Sequence, residues 1–139
     1  MESRPPAPVI HGMDAIAAPR VLVVDDEPQV VWVLRFGLES EGYDVATARN
    51  GVEALEQISI HRPELMVLDV MMPKMDGWTV LRELAKLPAA ERPRVVMVTA
   101  LASVDDKAKA TALGADAYVP KPFDVDELLQ VLHGLQKAS

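Results

Sequence analysis

Five side chains suited to phosphoryl chemistry lie at the ends of short apolar runs. Asp25 and Asp26 follow VLVV, Asp69 follows LMVL, Thr99 closes RVVMVT, and Lys121 follows AYVP. If these runs are neighbouring parallel strands, their carboxyl ends bring all five residues to one sheet edge. Packed carboxylates repel, and a hard divalent cation such as Mg²⁺ relieves that repulsion. Beside the cation an Asp can attack a phosphoryl group, while the lysine and the hydroxyl contact its oxygens.

The elements that must position these residues alternate along the chain. Apolar runs predict five strands, and an amphipathic stretch predicts a helix after each. This order predicts an α/β domain with a mainly parallel sheet covered on both faces. The predicted strands are Val21–Asp25, Asp44–Ala48, Leu65–Asp69, Arg94–Thr99 and Ala117–Val119. The predicted helices run from Pro28 to a stop at Gly42 and over Gly51–His61, Gly77–Leu87, Asp105–Leu113 and Asp124–Gln136.

Residue spacing predicts which faces of the first, second, third and fifth helices point inward. On the second helix, a spacing of three predicts that Val52, Leu55 and Ile58 face inward. On the first helix, the inward prediction leaves two aromatic residues, Trp32 and Phe36, on the opposite side. The residues predicted to face inward there are Val30, Val33, Leu34, Gly37 and Leu38.

Composition narrows the class of protein. The chain has 139 residues, 50% of them hydrophobic, which suits one globular domain. Its 14 basic and 21 acidic residues give a net charge of −7, which disfavours direct binding to nucleic acid or anionic membrane. The absence of cysteine excludes thiolate catalysis and cysteine-ligated metals. With no secretory signal and no apolar run near the roughly 20 residues of a membrane span, a cytoplasmic location is expected.

Two regions are predicted. Residues 1–18, which contain three prolines and show no periodicity, are expected to form a flexible N-terminal segment. Residues 19–139 are expected to form the single domain, with no room in the length for a DNA-binding output domain.

Four segments carry a resemblance to a known family. They are VLVVDDEP at 21–28, LMVLDVMMPKMDG at 65–77, MVTA at 97–100 and GADAYVPKPF at 114–123. In this order and spacing the chain resembles the receiver domain of response regulators in bacterial two-component signalling, from Arg20 to the C-terminus. The resemblance implies a flavodoxin-like (βα)5 doubly wound parallel sheet with strand order 2-1-3-4-5.

The resemblance also implies a site. Asp69 matches the phospho-acceptor that becomes 4-aspartylphosphate. Asp25 and Asp26 match the acidic pair that holds Mg²⁺, or Mn²⁺ as a substitute, together with Asp69 and the main-chain carbonyl of Met71. The remaining matches are the switch hydroxyl Thr99, the aromatic switch Tyr118, the family's lysine at Lys121, and Pro122 at a peptide position that is usually cis.

The function implied is signalling. A sensor histidine kinase or histidine phosphotransferase would supply the phosphoryl group from a phosphohistidine. The face formed by the fourth helix, fifth strand and fifth helix would then change and signal to a downstream protein effector. Such a domain is a signalling module and not a metabolic enzyme, although it would promote its own phosphotransfer and autodephosphorylation.

Three features of this sequence depart from the pattern of the family that it resembles. Trp32 and Phe36 suggest a docking patch for the kinase, with shielding by the N-terminal segment or an oligomer contact as the alternatives. Receivers of the winged-helix transcription-factor subfamily usually have an acidic residue before the aromatic of the fifth strand and basic residues in the fifth helix, and they form a salt-bridged dimer. In this sequence Ala117 precedes Tyr118 and the fifth helix has no arginine, so a monomer or weak dimer is expected. At Met71 and Leu101, apolar side chains cannot orient an attacking water, which predicts a phosphorylated lifetime of about minutes or more.

Alternative interpretations remain at this level. Taken singly, Asp25 and Asp26 could cap a helix, and Lys121 could be a solvated surface residue. The chain could be the receiver fragment of a longer transcription factor or hybrid kinase rather than a stand-alone receiver. A small phosphatase with an Asp nucleophile is disfavoured, because that chemistry needs a second Asp two residues after the first, where this chain has Met71.

Overall fold

The computed structural model describes residues 18–101 and 103–137, so the predicted N-terminal segment lies almost wholly outside the described residues. Five parallel strands form one sheet in the order β2-β1-β3-β4-β5, which confirms the expected flavodoxin-like fold. The strands are β1 (Arg20–Val24), β2 (Asp44–Ala48), β3 (Leu65–Leu68), β4 (Arg94–Thr99) and β5 (Ala117–Pro120). The helices are α1 (Pro28–Ser40), α2 (Gly51–His61), α3 (Gly77–Leu84), α4 (Val104–Ala112) and α5 (Val125–Lys137), with a short 3₁₀ helix at Ala89–Glu91.

The central strands are apolar on both faces because helices cover both sides of the sheet. Side chains of a strand alternate between the two faces. In β1, Val21 and Val23 belong to the core cluster that also contains α1 and α5 residues. Leu22 and Val24 belong to the opposite cluster, which contains residues of α2, α3 and α4. The sheet is therefore anchored on both sides, and its carboxyl edge is left to carry the polar residues.

Two inward predictions for helix residues are wrong. Val33 on α1 and Val52 on α2 are 39% and 44% exposed. The buried positions Leu34 and Leu38 set the inward direction of α1, and Val33 lies 100° or more from both of them at 100° per residue. On α2, a spacing of three drifts by about 60° at each step, so Val52 points about 120° away from the buried Ile58.

The third helix is shorter than predicted, ending at Leu84 instead of Leu87. The amides of Lys86 and Leu87 donate to carbonyls three residues back, which is turn geometry. Pro88 disfavours helical backbone at Leu87, the residue before it. Arg92 then donates to the freed carbonyls of Ala85 and Leu87. The other helix boundaries lie within about two residues of the prediction.

Candidate functional site

Three carboxylates meet at the carboxyl edge of the sheet. The parallel pairing of β1 with β3 sets Val24 beside Leu68, so Asp25 and Asp69 leave the sheet side by side. Asp25 and Asp69 are only 3% and 5% exposed, whereas Asp26 is exposed. One carboxylate oxygen from each of the three lies within 4.8 Å of the others. The acidic cluster predicted from the strand ends is therefore present.

Lys121 reaches this cluster from the end of β5. Its Nζ lies 2.8 Å from Oδ2 of Asp25 and 3.2 Å from Oδ2 of Asp69. It also lies 2.9 Å from Oε1 of Glu27. Glu27 is a site residue that the sequence analysis missed, although its position next to Asp25 and Asp26 was a signal. The lysine thus pairs with three carboxylates at once, two of them buried.

The pKa values of two members of this site, Asp25 and Lys121, are both raised. Burial raises the pKa of Asp25, and the charge of Asp69 adds to that, against hydrogen bonds from Lys121 and the Glu27 amide that lower it. Burial acts to lower the pKa of Lys121, but hydrogen bonds to Asp25 and Glu27 and the charge of Asp69 outweigh it, so the net pKa is raised. Lys121 is therefore a permanent cation of the site at neutral pH.

The donor set fits a hard divalent cation. Three carboxylates within reach of one point supply oxygen ligands of the kind that Mg²⁺ and Mn²⁺ accept, and Asp26 on the exposed side leaves access for water ligands. Repulsion between the buried Asp25 and Asp69 carboxylates favours the binding of a cation between them. The site can therefore bind a metal ion.

The loop after β3 is packed closely against the site. The backbone N–H of Met71 donates to Oδ1 of Asp69 at 3.3 Å, while the Met71 side chain is 60% exposed. The Gly77 N–H donates to the carbonyl of Val70 at 2.9 Å, and a Cβ at Gly77 would overlap the Asp69 carbonyl oxygen. Asp76 caps α3 by accepting from the Thr79 N–H at 2.9 Å. Asp69 is thus held by a loop with little room to shift.

The two predicted switch residues are connected through Leu101. Thr99 is fully buried at the end of β4, and its Oγ1 accepts from the Leu101 N–H at 3.3 Å. The hydroxyl of Tyr118, a half-buried residue of β5, donates to the Leu101 carbonyl. The Lys121–Pro122 peptide bond is cis. Thr99, Leu101 and Tyr118 therefore form one continuous chain of contacts, and the Lys121 N–H joins it to the site by donating to the Thr99 carbonyl at 2.8 Å.

Trp32 and Phe36 lie away from this cluster, on the outer face of α1. They are 66% and 64% exposed. Their rings are stacked, with centroids 5.7 Å apart and planes 8° from parallel. The pair is therefore an exposed aromatic surface, as the spacing along the first helix predicted.

Comparison with protein families agrees with this arrangement. The family model described as "Response regulator receiver domain" matches residues 21–133. The chain is 44% identical over 116 residues to the response regulator MprA of Mycobacterium ulcerans (strain Agy99), covering 84% of this chain and 49% of that protein. It is 38% identical over 117 residues to the DNA-binding dual master transcriptional regulator RpaA of Synechocystis sp., covering 84% and 48%. The chain thus spans about half the length of the curated relatives it matches.

Solved structures give the same result. A CheY-like response regulator receiver domain protein from Methanospirillum hungatei JF-1 superposes with a TM-score of 0.78 at 31% identity, covering 88% of this chain and 100% of that one. The receiver domain of the Francisella response regulator 1452 gives a TM-score of 0.80 at 34% identity, covering 86% of this chain and 98% of that one.

Within residues 18–101 and 103–137, no helix has the length and apolar character needed to cross a membrane.

Proposed function

The chain belongs to the response regulator receiver domain family, and we propose that it receives a phosphoryl group on Asp69 from a phosphohistidine. The observation that carries this proposal is the environment of Asp69. Its Oδ2 pairs with Lys121 at 3.2 Å, its Oδ1 accepts the Met71 N–H, and Asp25 and Asp26 lie within ligand distance of the same point. Uptake of one phosphoryl group by the protein, and its loss in Asp69→Ala, tests the proposal.

The transfer is a displacement at phosphorus. A carboxylate oxygen of Asp69 attacks in line, an O–P bond forms, and the P–N bond to the donor imidazole breaks. The imidazole leaves with the electron pair of that bond and takes a proton from solvent. Lys121 moves its charge from the free carboxylates to the phosphoryl oxygens, where negative charge is concentrated. The product is an acyl phosphate on Asp69 and a free histidine on the donor.

Asp25, Asp26 and Asp69, with the main-chain carbonyl of Met71, would hold a Mg²⁺ ion at this site, and Mn²⁺ would substitute for it. When bound, the metal ion neutralises charge on the phosphoryl oxygens. Asp25 is buried and fixed by the Glu27 N–H at 2.9 Å, so it supplies a ligand of constant position. Asp26 is exposed and can adjust to the incoming group.

Thr99 and Tyr118 are the residues through which phosphorylation of Asp69 would change the surface of the domain. If Thr99 changes rotamer so that its hydroxyl donates to the phosphoryl oxygens, Oγ1 moves away from the Leu101 N–H, which loses the acceptor that it has in this structure. Leu101 then shifts with its carbonyl, which is the acceptor of the Tyr118 hydroxyl. The face formed by α4, β5 and α5 changes as a result, and a partner that prefers the changed face shifts the equilibrium by its differential affinity.

The aromatic pair on α1 is proposed as a docking surface for the phosphodonor protein, a sensor histidine kinase or a histidine phosphotransferase. Trp32 and Phe36 are large, stacked and exposed. Aromatic residues are enriched at protein interfaces, and tryptophan is among the residues that contribute most of the binding energy there. The helix that carries them starts two residues after Asp26, so its surface is continuous with the carboxyl edge of the sheet, where Asp69 lies. A donor seated on this helix would bring its phosphohistidine toward Asp69.

The output is proposed to be a protein effector, in a cytoplasmic signalling pathway, with the receiver itself a monomer or weak dimer. Because the curated relatives are about twice as long, an attached output portion is a second candidate. The name of one relative describes it as a DNA-binding regulator. The genomic sequence that follows Ser139 distinguishes a receiver that acts alone from one that controls an attached domain.

A further inference from the structure

Helix α4 is weakly anchored to the rest of the domain. Of its nine residues only Ala110 is buried, and Val104 at its start is 82% exposed. Its first turn is stabilised locally, because the Ser103 hydroxyl accepts from the Asp106 N–H at 3.0 Å. A local cap keeps the helix folded but does not fix its position on the sheet. The position of α4 therefore depends on few side-chain contacts.

One of those contacts joins α4 to α3. The Nζ of Lys109 lies 4.5 Å from the centroid of the Trp78 ring, within the range of a cation–π interaction. Trp78 is 8% exposed and belongs to the same core cluster as Ala110. The ring is therefore fixed by packing, and the lysine is the exposed, adjustable partner. A second lysine, Lys107, lies 5.9 Å from the Tyr118 ring centroid, near the outer limit for such a contact.

Trp78 is also connected to the loop that follows β3 and begins with Asp69, which is called the phosphorylation loop. It follows Gly77, whose N–H donates to the Val70 carbonyl at 2.9 Å. A Cβ on Gly77 would overlap the carbonyl oxygen of Asp69, so the start of α3 and the backbone of Asp69 are in direct contact. A change in the backbone around Asp69 thus reaches the Trp78 ring over one residue of tightly packed chain.

We propose that Lys109 is a positioning residue that holds α4 against α3 through Trp78, and so links α4 to the phosphorylation loop by a route separate from Thr99 and Tyr118. This role in signalling rests on the proposed phosphorylation of Asp69, whereas the holding of α4 does not. Loss of the ammonium leaves α4 anchored by Ala110 and by the weaker Lys107 contact, so the helix samples more positions in the unphosphorylated domain.

The first test measures hydrogen exchange in the unphosphorylated protein. Lys109→Met keeps the apolar stem and removes the charge, and the amides of Val104–Ala112 should exchange roughly two- to fivefold faster. Lys109→Arg retains a cation that can lie over the ring and should exchange like the wild type. Lys86→Met, at an exposed lysine paired with Glu83 on α3, is the matched control and should leave α4 exchange unchanged.

The second test uses Trp78 as a reporter. The chain has two tryptophans, so Trp32→Phe leaves Trp78 as the sole tryptophan, and excitation at a wavelength that tyrosine does not absorb isolates its emission. Phosphorylation with acetyl phosphate and Mg²⁺ should change the Trp78 emission, and Lys109→Met in this background should reduce that change by about half or more. The proposal would be overturned if α4 exchanged equally fast in Lys109→Met and the wild type, or if Lys109→Arg accelerated exchange as much as Lys109→Met does. It would also be overturned if Lys109→Met left the change in Trp78 emission unreduced. Failure of the wild-type protein to gain a phosphoryl group under the same conditions would instead refute the proposed function, and the exchange comparison would still decide the role of Lys109.

Discussion

The Nζ of Lys121 lies 3.2 Å from Oδ2 of Asp69, across a distance of 52 residues in the sequence. The same ammonium contacts Asp25 and Glu27, so the lysine is shared among three carboxylates in the unphosphorylated domain. Its side chain is only 15% exposed, which limits competition from water. The contact places a permanent positive charge where a phosphoryl group on Asp69 would add negative charge.

Removing this charge should separate phosphotransfer from metal binding. Lys121→Met should slow phosphorylation by acetyl phosphate by about 10²-fold, the scale of losing one positioned stabilising charge. Magnesium affinity should stay equal or increase, because the ammonium repels a cation at the same carboxylates. Stopped-flow kinetics and magnesium titration measure the two effects separately. Lys121→Arg should restore little activity, because a planar guanidinium does not fit a site built for a point charge. An unchanged rate in Lys121→Met would remove the lysine from the mechanism.

The raised pKa of Asp25 predicts a pH-dependent stability difference in metal-free buffer. A raised pKa means that the folded domain holds this proton more tightly than the unfolded chain does. The stability that Asp25 contributes is therefore fully present below its ordinary pKa of 3.8 and is lost as the pH rises through the raised value. At pH 7 the ionised side chain destabilises the fold, so Asp25→Asn should unfold at a higher urea concentration than the wild type.

The difference between the two proteins should shrink as the pH is lowered toward 4, and urea unfolding with a chelator present at several pH values measures it. Magnesium should stabilise the wild type and have little effect on the variant. An Asn variant that is less stable at pH 7, or a difference that grows on acidification, would contradict this explanation.

The sheet and the site were predictable from the sequence because both depend on local patterns. Apolar runs such as LMVL end directly before Asp69, and parallel strands must present their carboxyl ends at one edge. Two helix positions were less predictable, since Val33 and Val52 point away from the buried sides of α1 and α2, whose direction is set by packing on the sheet. The contacts of Lys121 with Glu27 and of Lys109 with Trp78 join residues distant in the chain, and no spacing rule indicates them.

The apolar side chains near the phosphorylation site predict a long-lived phosphorylated form. Met71 is exposed beside Asp69, and its thioether cannot orient a water by a strong hydrogen bond. The acyl phosphate should persist for about minutes or more without a phosphatase. Met71→Asn, which adds an amide at this position, should shorten the lifetime by about tenfold, and Met71→Leu should leave it unchanged. Decay of the phosphorylated mass with time measures this, and loss within seconds in the wild type would refute it.

The exposed pair on α1 predicts a defect specific to the protein donor. Trp32→Ala with Phe36→Ala should slow phosphotransfer from the cognate kinase by roughly 30-fold in kcat/KM, the effect of losing about 2 kcal/mol of interface energy. Phosphorylation by acetyl phosphate should be unaffected, because the pair lies outside the acidic cluster. Ile60→Ala, at a 75% exposed apolar residue on α2, is the matched control and should transfer normally. Equal kinase rates in the double variant and the wild type would exclude the docking surface.

The proposed function depends on the acceptance of a phosphoryl group by Asp69. Incubation of the protein with Mg²⁺ and acetyl phosphate, followed by intact-mass measurement, tests it directly. The wild type should gain the mass of one phosphoryl group. Asp69→Ala should gain none, and Asp44→Ala, at an exposed carboxylate at the opposite end of the sheet, should gain one. No gain in the wild type, or an equal gain in Asp69→Ala, would show that Asp69 is not the phosphoryl acceptor.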